Sequence, residues 1–70
     1  MTITEKQHTN ENYYISMEIE TRYGMTYYEV SVCPLLNAWE GGSPIKSIVY
    51  SMDERKKALA TFNRYKREYI

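Results

Sequence analysis

The sequence contains a single cysteine, Cys33, and a single histidine, His8, among 70 residues. One cysteine cannot form an intrachain disulfide, so this small domain depends on packing or on a partner for its stability, as is typical of proteins in a reducing compartment. No apolar run approaches the roughly 20 residues that span a membrane, and no charged segment followed by an apolar stretch opens the chain. We therefore expect a cytoplasmic protein that does not contact a membrane.

With one cysteine and one histidine, the chain has too few of the residues that most catalytic and metal sites require. Catalysis by a serine or cysteine nucleophile needs a base, usually histidine, within hydrogen-bond reach, but His8 lies in a polar N-terminal segment far along the chain from Cys33. A zinc site takes about four cysteine, histidine or acidic ligands, and Gly41-Gly42 lacks the lysine of a phosphate-binding loop. We predict no enzymatic activity, no cofactor, no metal and no small-molecule substrate.

A helix is the clearest element of the chain, because residues 51–70 contain neither glycine nor proline and are rich in strong helix formers. Ser51 and Glu54 have the spacing of a capping box, which predicts the N-terminus of the helix at Ser51. With about 100° of rotation per residue, one arc of the helix is apolar and aromatic. Its members are Ala58, Leu59, Phe62, Tyr65 and Tyr69. This helix therefore has one face to bury.

The residues before the helix show the pattern of a small β-sheet. Residues 12–20 and 25–34 alternate between apolar and polar side chains, as half-buried strands do, and a shorter third strand is expected at residues 45–50. Residues 1–11 are mostly polar without sustained periodicity, which indicates a flexible N-terminal tail. We predict a single α+β domain over residues 12–70: a three-stranded antiparallel β-meander with one C-terminal helix packed on one face, in two layers (β-β-β-α).

The register of the first predicted hairpin depends on its turn, TRYG at residues 21–24. The loop must contain an even number of residues, because a shift by one residue turns every side chain to the other face of the sheet. A two-residue Tyr23-Gly24 loop would place Glu18 opposite Glu29, which is an unfavourable like-charge pair. A four-residue loop that begins at Thr21 avoids this pair, and it is the one we predict.

The sheet face turned away from the helix is expected to be open, and it carries tyrosines among carboxylates. Tyr14 and Glu18 alternate onto this face from one strand, and Tyr27 and Glu29 do so from the next. A shallow sheet surface offers no cleft for an acid pair of the glycosidase type. Tyrosine anchors many protein interfaces, and acids steer association toward basic partners. We expect these four residues to bind another protein or a second copy of the chain, as in small inhibitors from phages and other mobile elements.

Trp39 is a fifth candidate protein-binding residue, and it lies in the connection between the second and third strands. This connection is apolar at its start and ends in the turn sequence GGSP at residues 41–44. Trp39 can fold back over one end of the core in a helical turn with Leu35 and Leu36. Alternatively, it can be an anchor that is presented to a partner, because tryptophan is enriched in binding hot spots.

Nucleic-acid binding by the helix is the alternative function. The net charge is zero, but residues 1–50 contain three basic and six acidic residues, whereas residues 51–70 contain six basic and three acidic ones. The cations on the solvent side of the predicted helix are suited to phosphate contacts, and they are Lys56, Lys57, Arg64 and Arg67.

Two resemblances accompany this alternative. The strand-strand-strand-helix order resembles the arm-binding domains of some mobile-element integrases. The same order also looks like the C-terminal part of double-stranded RNA-binding domains, whose last helix opens with a Lys-Lys-x-Ala run that Lys56-Lys57-Ala58 resembles. The resemblance covers the topology and these three positions. Both resemblances imply nucleic-acid binding. The chain departs from the integrase pattern because the expected sheet presents acids rather than basic residues, and its neutral net charge favours a protein partner.

Overall fold

The computed structural model describes residues 1–35 and 44–70. Within these residues the chain forms four strands, a 3₁₀ turn and a helix: β1 (Thr2–Thr9), β2 (Tyr13–Arg22), β3 (Met25–Pro34), β4 (Lys46–Ser51), the 3₁₀ turn (Met52–Glu54) and α1 (Arg55–Glu68). The strands form one antiparallel sheet in the order β1-β2-β3-β4. The predicted α+β class, the meander and the C-terminal helix are confirmed. Across the described ranges, no helix is long and apolar enough to cross a membrane.

The predicted N-terminal tail is wrong over Thr2–Thr9, which forms the strand β1, and the sheet therefore has four strands rather than three. The apolar alternation is weak because Ile3 is the one large apolar residue in the strand. The register also shifts between Thr4 and Lys6 at a β-bulge, which breaks the two-residue periodicity at Glu5. β-Branched threonines at alternate positions were the available sign of a strand.

Asn10 organises the turn between β1 and β2. Its side-chain oxygen accepts hydrogen bonds from the main-chain N–H groups of Asn12 (2.9 Å) and Tyr13 (2.8 Å), as in an Asx turn. Its side-chain amide donates to the carbonyl of Tyr69 (2.8 Å), just after α1. Asn10 therefore joins the first hairpin to the C-terminal end of the helix.

The hairpin between β2 and β3 closes with the two-residue loop Tyr23-Gly24, so the predicted four-residue loop is wrong. The φ angles are 55° at Tyr23 and 77° at Gly24. Positive φ at both central residues is the mark of a type I′ turn, whose twist matches that of the flanking strands. This match favours the short loop, although it places Glu18 directly opposite Glu29.

The helix begins as its sequence predicts. The main-chain N–H of Ser51 donates to the Glu54 carboxylate (3.2 Å), and the two residues form a capping box. The first turn is a 3₁₀ turn, and α-helical hydrogen bonding starts at Arg55. The predicted N-terminal boundary is therefore confirmed, with a tighter first turn than a regular α-helix has.

The core lies between α1 and one face of the sheet. Its buried members come from β2, β3 and α1, and they are Ile15, Met17, Tyr28, Val30, Val32, Ala58, Phe62 and Tyr65. Leu59 and Tyr69 pack against this cluster, so the predicted apolar arc of the helix is confirmed. Thr61 is also buried, and its Oγ1 lies 2.6 Å from the hydroxyl of Tyr50. This hydrogen bond satisfies a polar group inside the helix–sheet interface.

Candidate protein-binding surface on the open sheet face

The side of the sheet opposite α1 is called here the open face. The strand registers align its side chains in rows that run across the sheet. Four such rows are Thr2-Glu20-Tyr27-Ser51, Thr4-Glu18-Glu29-Val49, Gln7-Ser16-Ser31-Ser47 and Thr9-Tyr14-Cys33. No strand or helix of the described residues packs on this face, so the predicted placement of Tyr14, Glu18, Tyr27 and Glu29 on one surface is confirmed.

Glu18 and Glu29 form an acid pair at the centre of the open face, and both side chains are half-buried. Each carboxylate accepts a hydrogen bond from a hydroxyl on an outer strand. Thr4 donates to Glu18 (3.4 Å), and Ser47 donates to Glu29 (2.9 Å). These hydroxyls come from the strands on either side of the hairpin, which is why the sequence of the hairpin alone did not reveal them.

No ion pair within residues 1–35 and 44–70 involves this acid pair. The other carboxylates that lie beside cations include Glu5, Glu20, Glu54 and Glu68. Like charges directly opposite each other in a sheet are destabilising by a few tenths of a kcal/mol or more. The acid pair is therefore a concentrated negative charge that hydroxyls stabilise and that no described cation neutralises.

The two tyrosines lie on either side of the acid pair along the strands. Tyr27 occupies the row next to it, and Tyr14 lies two rows away on the other side. Both are half-buried, and the Tyr14 hydroxyl donates to the side-chain oxygen of Gln7 (3.0 Å). Burial raises the pKa of Tyr14, and the nearby charges of Glu18 and Cys33 raise it further. Tyr14 therefore remains a neutral phenol that can donate a hydrogen bond.

Cys33 and His8 face opposite sides of the sheet. Cys33 is paired with Tyr14 on the open face, whereas His8 is paired with the core residue Ile15. Burial raises the pKa of the Cys33 thiol, and Glu18 raises it further. A thiol whose pKa is raised is a poor nucleophile at neutral pH. Among the described residues, no group of three or more histidines, cysteines or acids could hold a metal ion.

Glu20 lies at one end of the open face and joins β1 to the sheet. Its side chain accepts a hydrogen bond from the Thr2 hydroxyl, and it lies near the N-terminal ammonium group (3.7 Å) and Arg22 (4.0 Å). The hydrogen bond from Thr2 lowers the pKa of Glu20 most, and the two cations lower it further. This site was missed because residues 1–11 were expected to be a tail.

The basic residues of the alternative function lie on the solvent side of α1. Lys56, Lys57, Arg64 and Arg67 are all exposed. The ammonium group of Lys57 lies 3.0 Å from the Glu54 carboxylate, and Arg64 lies 3.7 Å from Glu68. The hydrogen bond with Glu54 raises the pKa of Lys57. The structure therefore brings the four cations to one surface, on the opposite side of the domain from the open face.

Trp39, the fifth candidate protein-binding residue, lies outside the described residues together with Leu36, so neither interpretation of it is tested. No family model matches the sequence, and searches of curated proteins and of solved structures give no significant match.

Proposed function

We propose that this protein is a non-enzymatic binding protein that recognises another protein through its open face. The observation that carries the proposal is the acid pair of Glu18 and Glu29. It is central and half-buried, and it has no cation partner among the described residues. A partner that placed a cation between the two carboxylates would relieve their repulsion and gain charge-assisted hydrogen bonds.

The chemistry of the open face favours an arginine- or lysine-bearing partner. Arginine can engage a carboxylate with two parallel hydrogen bonds, and the half-buried setting screens such a contact less than open solvent does. Tyr14 and Tyr27 add large, rigid contact area on either side of the acid pair, which is how tyrosine acts in binding hot spots. A basic nucleic-acid-binding groove of another protein is one surface of this kind, and covering it would make the protein an inhibitor.

Stacking of two open faces on each other is disfavoured by the same charges. Such a stack would bring two copies of the Glu18–Glu29 pair together, and like charges across an interface cost binding free energy. The partner at this surface is therefore a different protein with a complementary positive charge.

The tyrosine pair gives a direct test with a matched control. Tyr14→Ala combined with Tyr27→Ala should weaken partner capture by an immobilised protein at least about tenfold, because buried tyrosine anchors can each contribute about 2 kcal/mol. Tyr23→Ala is the control, since Tyr23 is 95% exposed at the hairpin tip, away from the open face. Equal capture by the double variant and the control would exclude the open face as the binding surface.

Nucleic-acid binding by α1 remains the second candidate, and the exposure of all four cations on one side of the helix favours it. Lys56 and Arg67 have no ion-pair partner among the described residues, so Lys56→Gln with Arg67→Gln is the sharper variant pair. A mobility shift with duplex DNA and RNA at low salt should be lost in this variant and weakened by added salt. If the parent protein gives no shift at low salt, this candidate is wrong.

A further inference from the structure

The two edges of the sheet differ in how they are protected. An edge strand presents unpaired main-chain N–H and C=O groups, and bulges or charged residues usually prevent another strand from pairing with it. β1 has both kinds of protection. A bulge interrupts it at Glu5, whose carboxylate forms an ion pair with Arg55 of α1, and Lys6 follows at once. A second strand could not pair in one regular register along the whole of β1, because the register shifts between Thr4 and Lys6.

β4 has neither protection along its centre. Its register with β3 is unbroken over its whole length, and its one charged residue, Lys46, stands at its start. Ile48 is 36% exposed and Val49 is 54% exposed, on opposite faces of the strand. The apolar exposure continues beyond the strand at Ile45 and Met52, which are 49% and 41% exposed. No strand of the described residues pairs with the outer edge of β4.

We infer that β4 pairs with β4 of a second copy of this chain, in antiparallel orientation about a two-fold axis. Such an axis must run perpendicular to the sheet, because only then are identical edge strands antiparallel and hydrogen-bonded side by side. The two four-stranded sheets join into one eight-stranded sheet. Symmetric pairing satisfies the free N–H and C=O groups of both edges and buries Ile48 and Val49 of both copies near the axis.

The charges at the two ends of β4 favour a second copy as the occupant. Lys46 stands at the start of the strand, and Asp53 follows its end. Neither residue forms an ion pair within the described residues, whereas the neighbouring Glu54 is paired with Lys57. Antiparallel pairing places Lys46 of one copy near Asp53 of the other, twice per dimer. The edge is therefore self-complementary in charge as well as in hydrogen bonding.

This arrangement goes beyond the proposed function and does not depend on it. The perpendicular axis keeps both helices on one side of the joined sheet and both open faces on the other. A dimer of this kind presents two acid pairs on one continuous surface, so it can bind a repeated or extended basic partner with avidity. The stacked arrangement of open faces would instead hide them.

Sedimentation equilibrium of the full chain tests the pairing. The mass should rise from 8.4 kDa toward twice that value over a concentration series of about three orders of magnitude. Val49→Lys should raise the dimer dissociation constant at least about tenfold, because an edge lysine blocks strand pairing and the two lysines would meet near the axis. Val49 lies directly opposite Glu29, so the new lysine faces a carboxylate within its own monomer and the fold should persist.

Ile3→Lys is the matched control on the other edge. Ile3 is 51% exposed on β1, close to the exposure of Val49, so this variant should dimerise like the parent. Hydrogen exchange of the parent is an independent measurement: the outward-facing amides of β4 should become protected as the concentration rises. A parent that stays monomeric throughout, equal effects of the two lysines, or β4 protection that does not change with concentration would overturn the inference.

Discussion

Glu20 is a carboxylate that is only 7% exposed, and its burial is tolerated because one hydroxyl and two cations surround it. Two of these three groups, Thr2 and the N-terminal ammonium of Met1, come from the segment that the sequence predicted to be a tail. A buried charge needs such partners to remain ionised. The pKa of Glu20 therefore indicates whether the N-terminal segment is paired with β2.

The free energy of unfolding should depend on pH through Glu20. The pKa of Glu20 is lowered in the folded state, so its stabilising contribution is fully present above the unfolded value of about 4.3 and is lost as the pH falls through the folded pKa. Glu20→Gln should flatten the pH dependence below about pH 4.3 in urea unfolding. Thr2→Val should raise the pKa of Glu20 in an NMR titration.

Glu11→Gln is the control for this titration, because it makes the same chemical change at an exposed residue of the β1–β2 turn. In this control, the slope of the free energy of unfolding against pH below about pH 4.3 should remain as in the parent. If the pH dependence of the free energy of unfolding is the same in Glu20→Gln as in the parent, then Thr2 and the N-terminus do not stabilise the ionised carboxylate when the protein is in solution.

Tyr23 gives a second test at the scale of a residue. It adopts a φ of 55°, and its side chain is 95% exposed. Asparagine tolerates this conformation better than tyrosine, and Asn-Gly is the preferred pair in a type I′ turn. Tyr23→Asn should therefore raise the free energy of unfolding by about 0.5–1 kcal/mol, whereas Tyr23→Ala should give no such gain. Urea unfolding of both variants measures the difference, and equal stabilities would contradict the two-residue turn.

The pairing of α1 with the sheet is the main interaction at the scale of elements. Phe62 is 3% exposed in the middle of the apolar arc. Phe62→Ala should cost about 3–5 kcal/mol, which is a large part of the total stability of about 5–15 kcal/mol that natural domains have. Thermal unfolding followed by circular dichroism should show a much lower midpoint or no cooperative transition.

Ile70→Ala is the control for the core variant, because Ile70 is 78% exposed just beyond the helix. It should change the free energy of unfolding by less than about 0.5 kcal/mol. A Phe62→Ala variant that unfolds within a few degrees of the parent would show that another face of the helix packs on the sheet.

The elements that the sequence predicted well share a regular apolar period. The arc around Phe62 and the alternation around Ile15 and Val30 reflect burial on one face. A periodic pattern of apolar residues indicates which face of an element is buried. β1 was not predicted because an edge strand with a bulge buries few side chains, so its sequence has no regular alternation of apolar and polar residues. The two-residue turn was not predicted because the sequence of the hairpin shows the repulsion between Glu18 and Glu29 but not the hydroxyls that stabilise both carboxylates. Those hydroxyls belong to neighbouring strands and are distant in the chain.

The candidate site could be predicted in part for the same reason. Alternation alone assigns Tyr14, Glu18, Tyr27 and Glu29 to the face opposite the core. Alternation does not show which carboxylates have cations beside them, because those contacts join residues far apart in the sequence. The contrast between the paired Glu20 and the unpaired central acids emerges only when the strands are side by side.

At the scale of the whole molecule, the two layers present opposite charges. The open face carries the Glu18–Glu29 pair, and the solvent side of α1 carries the exposed cations Lys56, Lys57, Arg64 and Arg67. A chain with zero net charge can therefore attract a basic partner on one side and repel it on the other. Such a distribution gives binding a preferred orientation, and we expect this orientation to turn the open face toward the partner.

Neutralising the acid pair tests this claim most directly. Three proteins are immobilised in turn: the parent, the double variant Glu18→Gln with Glu29→Gln, and the double variant Glu11→Gln with Glu68→Gln. Capture of protein from extracts of the source cells is quantified for each at low and moderate salt. The two double variants change the net charge equally, but the second pair lies off the open face. We expect the salt-sensitive capture to fall at least about tenfold in the first double variant and to be unchanged in the second. Equal capture by both variants would contradict this claim.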